Sequence, residues 1–187
     1  MSTTAIHISP TELAYSGREL RSHFAFDAFG VLGDSIVAFV GPCRVELDAL
    51  VDLEDVRRRE PIFSPRMLHV IAEHFDAPLR EMVLRQRLLA RLAADLLRER
   101  STAEPLVRGD DLFVAGRKAS VSIATRSPVS ALLHFGVNVK TEGTPLPTFG
   151  LAEAGVEPEP FAHELLRRYA AEMDDIQRAT AKVRGVP

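Results

Sequence analysis

The stretch that most constrains the fold is residues 111–139, which read DLFVAGRKASVSIATRSPVSALLHFGVNV. Apolar and β-branched residues concentrate in three runs, and the pattern predicts strands at Leu112–Val114, Ala119–Thr125 and Leu132–Val139. Ala115-Gly116 separates the first two runs and predicts a tight turn, because glycine adopts positive φ without steric cost. The central strand alternates apolar with small polar residues, so one face should enter the core and the other should face a pocket or solvent.

Outside this stretch, two more strands are predicted at Ile36–Val40 and Arg44–Leu53, with the chain turning at Gly41-Pro42 between them. Helices are predicted at Ser64–Phe75, Leu79–Arg100, Phe161–Ile176 and Arg18–Phe29. Ser64 and Asp76 are suitable N-caps for the first two of these helices. This order of elements predicts a single α/β (α+β) domain over residues 1–187, in which a mixed β-sheet packs against helices.

Charge and composition restrict the classes of partner. The chain has 23 basic and 26 acidic residues, a formal charge of −3, so it has no global basic field for nucleic acid or an anionic membrane. No apolar run approaches the roughly 20 residues of a membrane-spanning helix, and the N-terminus lacks the layout of a signal peptide. Cys43 is the single cysteine, which excludes an intrachain disulfide. We therefore expect a cytoplasmic protein that binds neither nucleic acid nor membrane. A small-molecule ligand and a homodimer both fit the sequence, which leaves the oligomeric state and any cofactor unknown.

Three motifs resemble strands of the lipoate/biotin ligase and octanoyltransferase superfamily. GRKASVSI at residues 116–123 is similar to that superfamily's Gly-x-Lys-Ile-Ala-Ser-Ile-Gly strand. GPCRVELDALVDL at residues 41–53 resembles the octanoyltransferase strand that begins Gly-Pro-Gly-Gln and ends in Asp-Leu. HFGVNV at residues 134–139 resembles the neighbouring His-Gly-x-x-x-Asn-Val strand. The resemblance implies a biotin/lipoate ligase-like catalytic core in which Lys118 binds an acyl group or its adenylate.

Over nearly its full length the chain also resembles the family called domain of unknown function 366. Runs spread along the sequence carry this resemblance, at residues 33–39, 67–69, 73–75, 85–89 and 120–125. Membership implies the ligase-like fold and brings no established activity with it.

The sequence departs from the ligases and transferases at their functional motifs. It contains no tryptophan and no loop like the Gly-Arg-Gly-Arg-x-Gly-Arg-x-Trp loop of biotin ligases. Where lipoate ligases carry two arginines before Ser-Gly-Gly, residues 31–35 read VLGDS, with the carboxylate of Asp34 in place of cations. Octanoyltransferases have a cysteine soon after the His-Gly strand, whereas residues 147–150 here read PTFG. Standard octanoyl transfer is therefore not expected.

The candidate catalytic residues are Lys118, His134 and Cys43. A lysine at the start of a strand can neutralise a carboxylate or phosphate in a pocket, although a solvated strand-end lysine fits the same sequence. His134 lies in an apolar strand, where a catalytic role and a buried structural histidine both fit. The Cys43 thiol would need a cation such as Arg44 or Lys118 to become a thiolate nucleophile, and the alternative is an inert packing residue.

The candidate substrate-binding residues are small polar or acidic side chains near these positions, namely Ser120, Ser122, Asn138 and Asp34. Asn138 lies four residues after His134, so strand periodicity places both on one face, where they could line one pocket wall. The same periodicity places Arg117 and Lys118 on opposite faces, so the two cations should have different roles.

No metal site is predicted. On a helix over Ser64–Phe75, His69 and Glu73 would share one face, about 40° apart. His74 would lie roughly 100° further round, on the apolar side. Three ligands from this segment would therefore not converge on one ion. His69 and Glu73 alone could supply two ligands or an acid/base pair, and a surface hydrogen bond is the commoner outcome for such a pair.

The leading functional hypothesis is an acyltransferase or ligase-like enzyme that binds a small carboxylate or its acyl adenylate at Lys118. The first alternative is a non-catalytic binding domain on the same fold, because fold alone is a poor guide to chemistry. The second is an enzyme of unrelated chemistry, whose acidic strand ends hold a metal ion or a cationic ligand. These carboxylates are Asp48, Asp52, Glu54, Asp55, Asp110 and Asp111.

Overall fold

The structure, a computed structural model, describes residues 4–75, 77–144 and 146–186. Its main sheet has five strands in the spatial order β1 (Ala5–Ile8), β2 (Ser35–Val45), β3 (Ile62–His74), β8 (Ala131–Lys140) and β7 (Ser120–Arg126). β1 runs parallel to β2, and the other neighbouring strands are antiparallel. A smaller antiparallel sheet contains β4 (Pro105–Arg108), β5 (Asp111–Val114) and β6 (Arg117–Lys118).

The helices of the described residues are α1 (Phe24–Phe29), α2 (Leu53–Arg58), α3 (Leu79–Arg100) and α4 (Pro158–Ala181). α3 has the predicted bounds, although Pro78 is its N-cap and Asp76 lies outside the described residues. α4 confirms the C-terminal helix, and only the last part of the helix predicted at Arg18–Phe29 is helical. None of these helices is long and apolar enough to cross a membrane. The predicted α/β architecture, a mixed sheet packed with helices, is confirmed.

The strands predicted in residues 111–139 are confirmed as β5, β7 and β8. Ala115 and Gly116 form the turn between β5 and β6, with φ angles of 49° and 76°. Positive φ at both central residues is the backbone that a two-residue hairpin turn requires. This turn places Lys118 at the end of the hairpin, next to the start of β7.

The main sheet is covered on both faces by different parts of the chain. Alternate residues of β3, including Leu68 and Val70, pack with α3 and α4 on what we call the helix face. The intervening residues, including Met67 and Ile71, pack with the N-terminal segment around Tyr15 on what we call the N-terminal face. Each strand therefore contributes to two separate apolar clusters.

The helix predicted at Ser64–Phe75 is wrong, because this segment is most of strand β3. A central strand that is buried on both faces has apolar residues at successive positions and so lacks the alternation that marks a strand. Ser64-Pro65 resembles a helix start, but Pro65 precedes a register irregularity between Arg66 and Met67 instead. As a consequence, His69 and Glu73 lie on one face of the sheet and His74 on the other.

The turn predicted at Gly41-Pro42 is also wrong, since β2 continues through it to Val45 with a register irregularity between Gly41 and Cys43. Gly41 is required there because a Cβ would lie 2.0 Å from the carbonyl oxygen of Leu13. Beyond Val45 the predicted strand is replaced by a 3-10 turn and α2. The Asp52 side chain caps α2 by accepting hydrogen bonds from two backbone N–H groups of its first turn.

Candidate functional site

A cavity of about 200 Å³ lies on the N-terminal face, between the sheet and the segment from Val45 to Phe63. Much of its wall is apolar and comes from several elements, with contributions from Leu20, Val45, Ile62, Met67, Val121 and Ile123. Polar groups enter it from β8, from the N-terminal segment and from the rim. An apolar cavity with a few polar groups on its wall is the usual form of a small-molecule site.

Lys118 is the one lysine or arginine among the described residues that line this cavity. Its Nζ lies 2.9 Å from Asp111 Oδ2, and its side chain is 39% exposed. Burial raises the pKa of Asp111 above its ordinary value, against the opposing effect of the Lys118 ammonium. Arg117 is engaged elsewhere, as strand periodicity predicts, because its guanidinium contacts Glu153 at 2.8 Å and lies over the Phe149 ring.

The N-terminal face also carries two buried histidines in contact with one tyrosine. His134 Nε2 lies 3.1 Å from His69 Nδ1, and His69 Nε2 lies 3.3 Å from the carbonyl oxygen of Gly41. The Tyr15 ring stacks on His134 with a centroid distance of 3.9 Å and an interplanar angle of 7°. Burial lowers the pKa of His69 to about 3 and holds that of His134 well below its ordinary value, so both rings are neutral at neutral pH.

Asn138 and the two serines differ in how their side chains are engaged. Asn138 is 4% exposed, lines the cavity, and its side-chain amide has no hydrogen-bond partner within residues 4–75, 77–144 and 146–186. The Ser120 hydroxyl accepts a hydrogen bond from the Leu112 N–H, and the Ser122 hydroxyl accepts one from Gln86 Nε2. Both serines border the cavity, but their hydroxyls already bind the protein. Asn138 is thus the better placed to bind a ligand.

The structure separates Cys43 and Asp34 from Lys118. Cys43 is fully buried in β2 and is not among the described residues that line the cavity, and burial raises the pKa of its thiol to about 12. A neutral buried thiol is a poor nucleophile, so the geometry does not favour the catalytic role predicted for it. Asp34 immediately precedes β2 and accepts hydrogen bonds from His74 Nδ1 and the Phe75 N–H. It borders a second cavity of about 430 Å³ instead.

Lys118, His134 and Asn138 were predicted from the sequence as site residues, and all three line one cavity. Tyr15 and His69 were not predicted to join them. Tyr15 reaches the site through a single bridge to Cys43, a long-range pairing that leaves no local pattern. His69 was assigned to a helix, although its even spacing from Met67 and Ile71 is compatible with one strand face. In the part of the chain that the structure describes, no group of three histidine, cysteine or acidic side chains is arranged to hold a metal ion.

Acidic side chains surround the outer part of the cavity. Asp52, Asp55 and Glu60 line it together with Lys118, so its rim carries more carboxylates than ammonium groups. Burial is the first cause that raises the pKa of Asp55, followed by the nearby Asp52 charge, and Lys118 opposes both. The carboxylates of the rim can therefore attract a cationic group, and the Lys118 ammonium can bind an anion.

Comparison with known proteins gives one full-length family match and a wider likeness of fold. The family model described as Domain of unknown function (DUF366) matches residues 4–184. An uncharacterised protein from Methanocaldococcus jannaschii is 36% identical over 177 residues, which cover 91% of this chain and 80% of that protein. A solved structure of a protein of unknown function from Pyrococcus horikoshi is 38% identical, with a TM-score of 0.94 over 99% of this chain and 100% of that chain.

Biotin and lipoate ligases share the fold at low sequence identity. The Aquifex aeolicus biotin protein ligase in complex with biotin and ATP is 12% identical, with a TM-score of 0.66 over 93% of this chain and 72% of that chain. P. falciparum LipL1 in complex with lipoate is 9% identical, with a TM-score of 0.53 over 98% of this chain and 65% of that chain. At these identities the likeness shows the fold alone.

Proposed function

The chain belongs to the DUF366 family, and from its fold and cavity we propose that it binds a small carboxylic acid, or the acyl adenylate of that acid, in a ligase-like or acyl-transfer reaction. Lys118 contacts the anionic group of the ligand, and the apolar wall holds its carbon chain. Because the lone cysteine is a buried free thiol, a reducing cytoplasmic location suits this function.

Lys118 carries the proposal, because among the described residues it is the one lysine or arginine that lines this cavity, whose wall is largely apolar. Its ammonium group is a compact point charge that can neutralise a carboxylate or a phosphate. Asp111 holds this group in the ligand-free protein, and its raised pKa favours release of the ion pair when another anion arrives. The solved ligases of the same fold that contain biotin with ATP, or lipoate, support a carboxylic acid as the class of ligand.

The binding test compares two neighbouring cations. Isothermal titration calorimetry with biotin, lipoic acid and octanoic acid, each with and without ATP and magnesium, should reveal saturable binding. Lys118→Ala should weaken it roughly 10- to 100-fold, since charge-assisted hydrogen bonds contribute about 1.5–3 kcal/mol. Arg117→Ala is the matched control, because it also breaks a half-exposed ion pair, and neither Arg117 nor its partner Glu153 is among the described residues that line the cavity. Equal affinities in the two variants, or no binding of any acid or nucleotide, would contradict the proposal.

A second assay separates an enzyme from a non-catalytic binding domain. If the chain activates its acid, the carboxylate attacks the α-phosphorus of ATP, which forms the acyl adenylate and releases pyrophosphate, so pyrophosphate should appear only when a bound acid is present. A protein that binds an acid with the expected Lys118 dependence, yet releases no pyrophosphate and transfers no acyl group, would be the binding domain instead.

The excess of carboxylates at the rim supports a second candidate, a ligand with a cationic group. Asp55→Asn distinguishes the two, because it removes a negative charge near Lys118 without shortening the side chain. Carboxylate binding should strengthen a few-fold in this variant, since long-range charge effects at a partly exposed site are modest. A cationic ligand, tested with a homologous series of alkylamines, would weaken by a similar factor.

A further inference from the structure

The histidine pair on the N-terminal face has its protons fixed by its surroundings. His69 Nε2 lies 3.3 Å from the Gly41 carbonyl oxygen, and a carbonyl oxygen can only accept a hydrogen bond. His69 must therefore carry a proton on Nε2. Because burial keeps this ring neutral, its Nδ1 has no proton and offers a lone pair.

The tautomer of His134 follows from that of His69. His134 Nε2 lies 3.1 Å from His69 Nδ1, so His134 must donate this hydrogen bond from Nε2. Its ring is also neutral, which leaves Nδ1 as an acceptor. The stacked Tyr15 ring holds the imidazole in place. Two hydrogen bonds in series thus fix which nitrogen of His134 is unprotonated.

This His134 Nδ1 has no hydrogen-bond partner in the part of the chain that the structure describes, and neither has the Tyr15 hydroxyl. Among the same residues, no fully buried side-chain nitrogen or oxygen lacks a partner. Both atoms must therefore reach the cavity that their residues line. Since His134 is 3% exposed and Tyr15 is 4% exposed, an apolar ligand atom placed there would leave these polar groups desolvated and unpaired.

We propose that His134 is a specificity-determining residue, whose Nδ1 accepts a hydrogen bond from an N–H or O–H group on the ligand. The inference deepens the proposed function and rests on it: the carboxylic acid that Lys118 binds carries an amide N–H or a hydroxyl along its chain. A plain alkyl chain, such as that of octanoic acid, satisfies neither His134 nor Tyr15 and is selected against. His134 serves in recognition here and not as a general base, because a ring that stays neutral this far below neutral pH is a weak base.

The tautomer itself can be measured in the unmodified protein without any ligand. Long-range ¹H–¹⁵N correlation spectra of protein labelled at histidine report which ring nitrogen carries the proton. His134 and His69 should both show the neutral Nε2–H form at all values between about pH 5 and pH 8. A proton on His134 Nδ1, or a doubly protonated ring in this range, would overturn the proposal.

The ligand preference can be measured with matched acids. The probes are ω-acetamido carboxylic acids with three to seven methylene groups and the same acids methylated on the amide nitrogen, which keeps the carboxylate and removes the donor. The tightest-binding acetamido acid should bind about tenfold better than its N-methyl partner, as expected for one hydrogen bond to a buried acceptor. If no chain length prefers the N–H form, the proposal fails.

Two variants assign the cause of each outcome. His134→Gln can still donate to His69 but presents no fixed acceptor to the cavity, so it should abolish the N–H preference. Persistence of the preference in His134→Gln would assign it to another group and overturn the role of His134. Lys118→Ala should weaken both members of each pair equally and leave their ratio unchanged. If Lys118→Ala changes neither affinity while the ratio persists, the proposed anchoring at Lys118 fails and the recognition by His134 stands.

Discussion

The two faces of the main sheet each carry a buried histidine network, but only one of the networks is closed. On the helix face, His74 Nδ1 contacts Asp34 Oδ2 at 3.1 Å and His74 Nε2 contacts the Tyr169 hydroxyl at 2.9 Å. Asp34 also accepts a hydrogen bond from the Phe75 N–H. Every nitrogen of this imidazole therefore has a protein partner.

On the N-terminal face, the network of His69 and His134 ends at the cavity. Among the described residues, His69 uses both of its nitrogens in hydrogen bonds to the protein, whereas His134 uses one. A closed network of this kind joins elements, here β2, β3 and α4, and contributes to stability. An open network reserves hydrogen-bonding capacity for a ligand. The difference indicates that a buried histidine does not by itself identify a binding site. A polar atom beside a cavity that has no partner in the protein does.

The largest expected difference between the faces is in the cost of replacing a histidine. His74→Phe leaves the Asp34 carboxylate and the Tyr169 hydroxyl without their shared partner, and should lower the free energy of unfolding by about 3 kcal/mol. His134→Phe leaves one buried acceptor, His69 Nδ1, without its donor and should cost about 1.5 kcal/mol. Urea denaturation of both variants measures the two values. Equal losses would show that the N-terminal network is structural as well.

The two faces should also respond to acid in different ranges of pH. The pKa of His134 is lowered in the folded protein, so this ring contributes stability that is present above its unfolded pKa of about 6.5 and is lost as pH falls below it. The neighbouring His69, whose pKa burial lowers to about 3, has the same sign and corresponds to a loss of about 1.6 kcal/mol between pH 6.5 and pH 5. The hydrogen bond from His74 lowers the pKa of Asp34, whose contribution is lost only below its unfolded pKa of about 3.9.

Denaturation of the wild-type protein and of His134→Gln at a series of pH values tests this separation. His134→Gln should show a shallower loss of stability between pH 6.5 and pH 5, because it has one buried histidine fewer. Asp34→Asn should leave that range unchanged and reduce the loss below about pH 4. Identical slopes for His134→Gln and wild type would mean that His134 is already protonated in the folded protein.

The sequence predicted the parts of the fold whose pattern is local. Residues 79–100 have one apolar face, and the bounds of α3 were predicted correctly. In residues 111–139, the sequence of β7 alternates and a turn with positive φ follows β5, whereas β8, which is buried along nearly its whole length, was predicted as an apolar run of strand length. β3 was missed because both of its faces are buried, which removes the alternation that distinguishes a strand from a helix.

The residues of the candidate site were likewise predicted only where the sequence pattern is local. Lys118, His134 and Asn138 were predicted because a motif and strand periodicity place them near one another. Tyr15 and His69 depend on pairings between distant segments, which no local pattern reveals. The burial of the Cys43 thiol depends on tertiary structure, and a lone cysteine in the sequence carries no information about it, so its catalytic role stays a prediction.

The smallest expected effect is also the most direct comparison, because the same substitution can be made on each face. Tyr169→Phe removes a hydroxyl that bonds His74, and should lower the free energy of unfolding by about 1 kcal/mol. Tyr15→Phe removes a hydroxyl that has no partner among the described residues, and should change stability by less than about 0.5 kcal/mol. Both rings are almost fully buried, so loss of packing is equal in the two variants. Thermal unfolding measures the difference, and a Tyr15→Phe loss as large as that of Tyr169→Phe would mean that the Tyr15 hydroxyl bonds within the protein and is not held in reserve for a ligand.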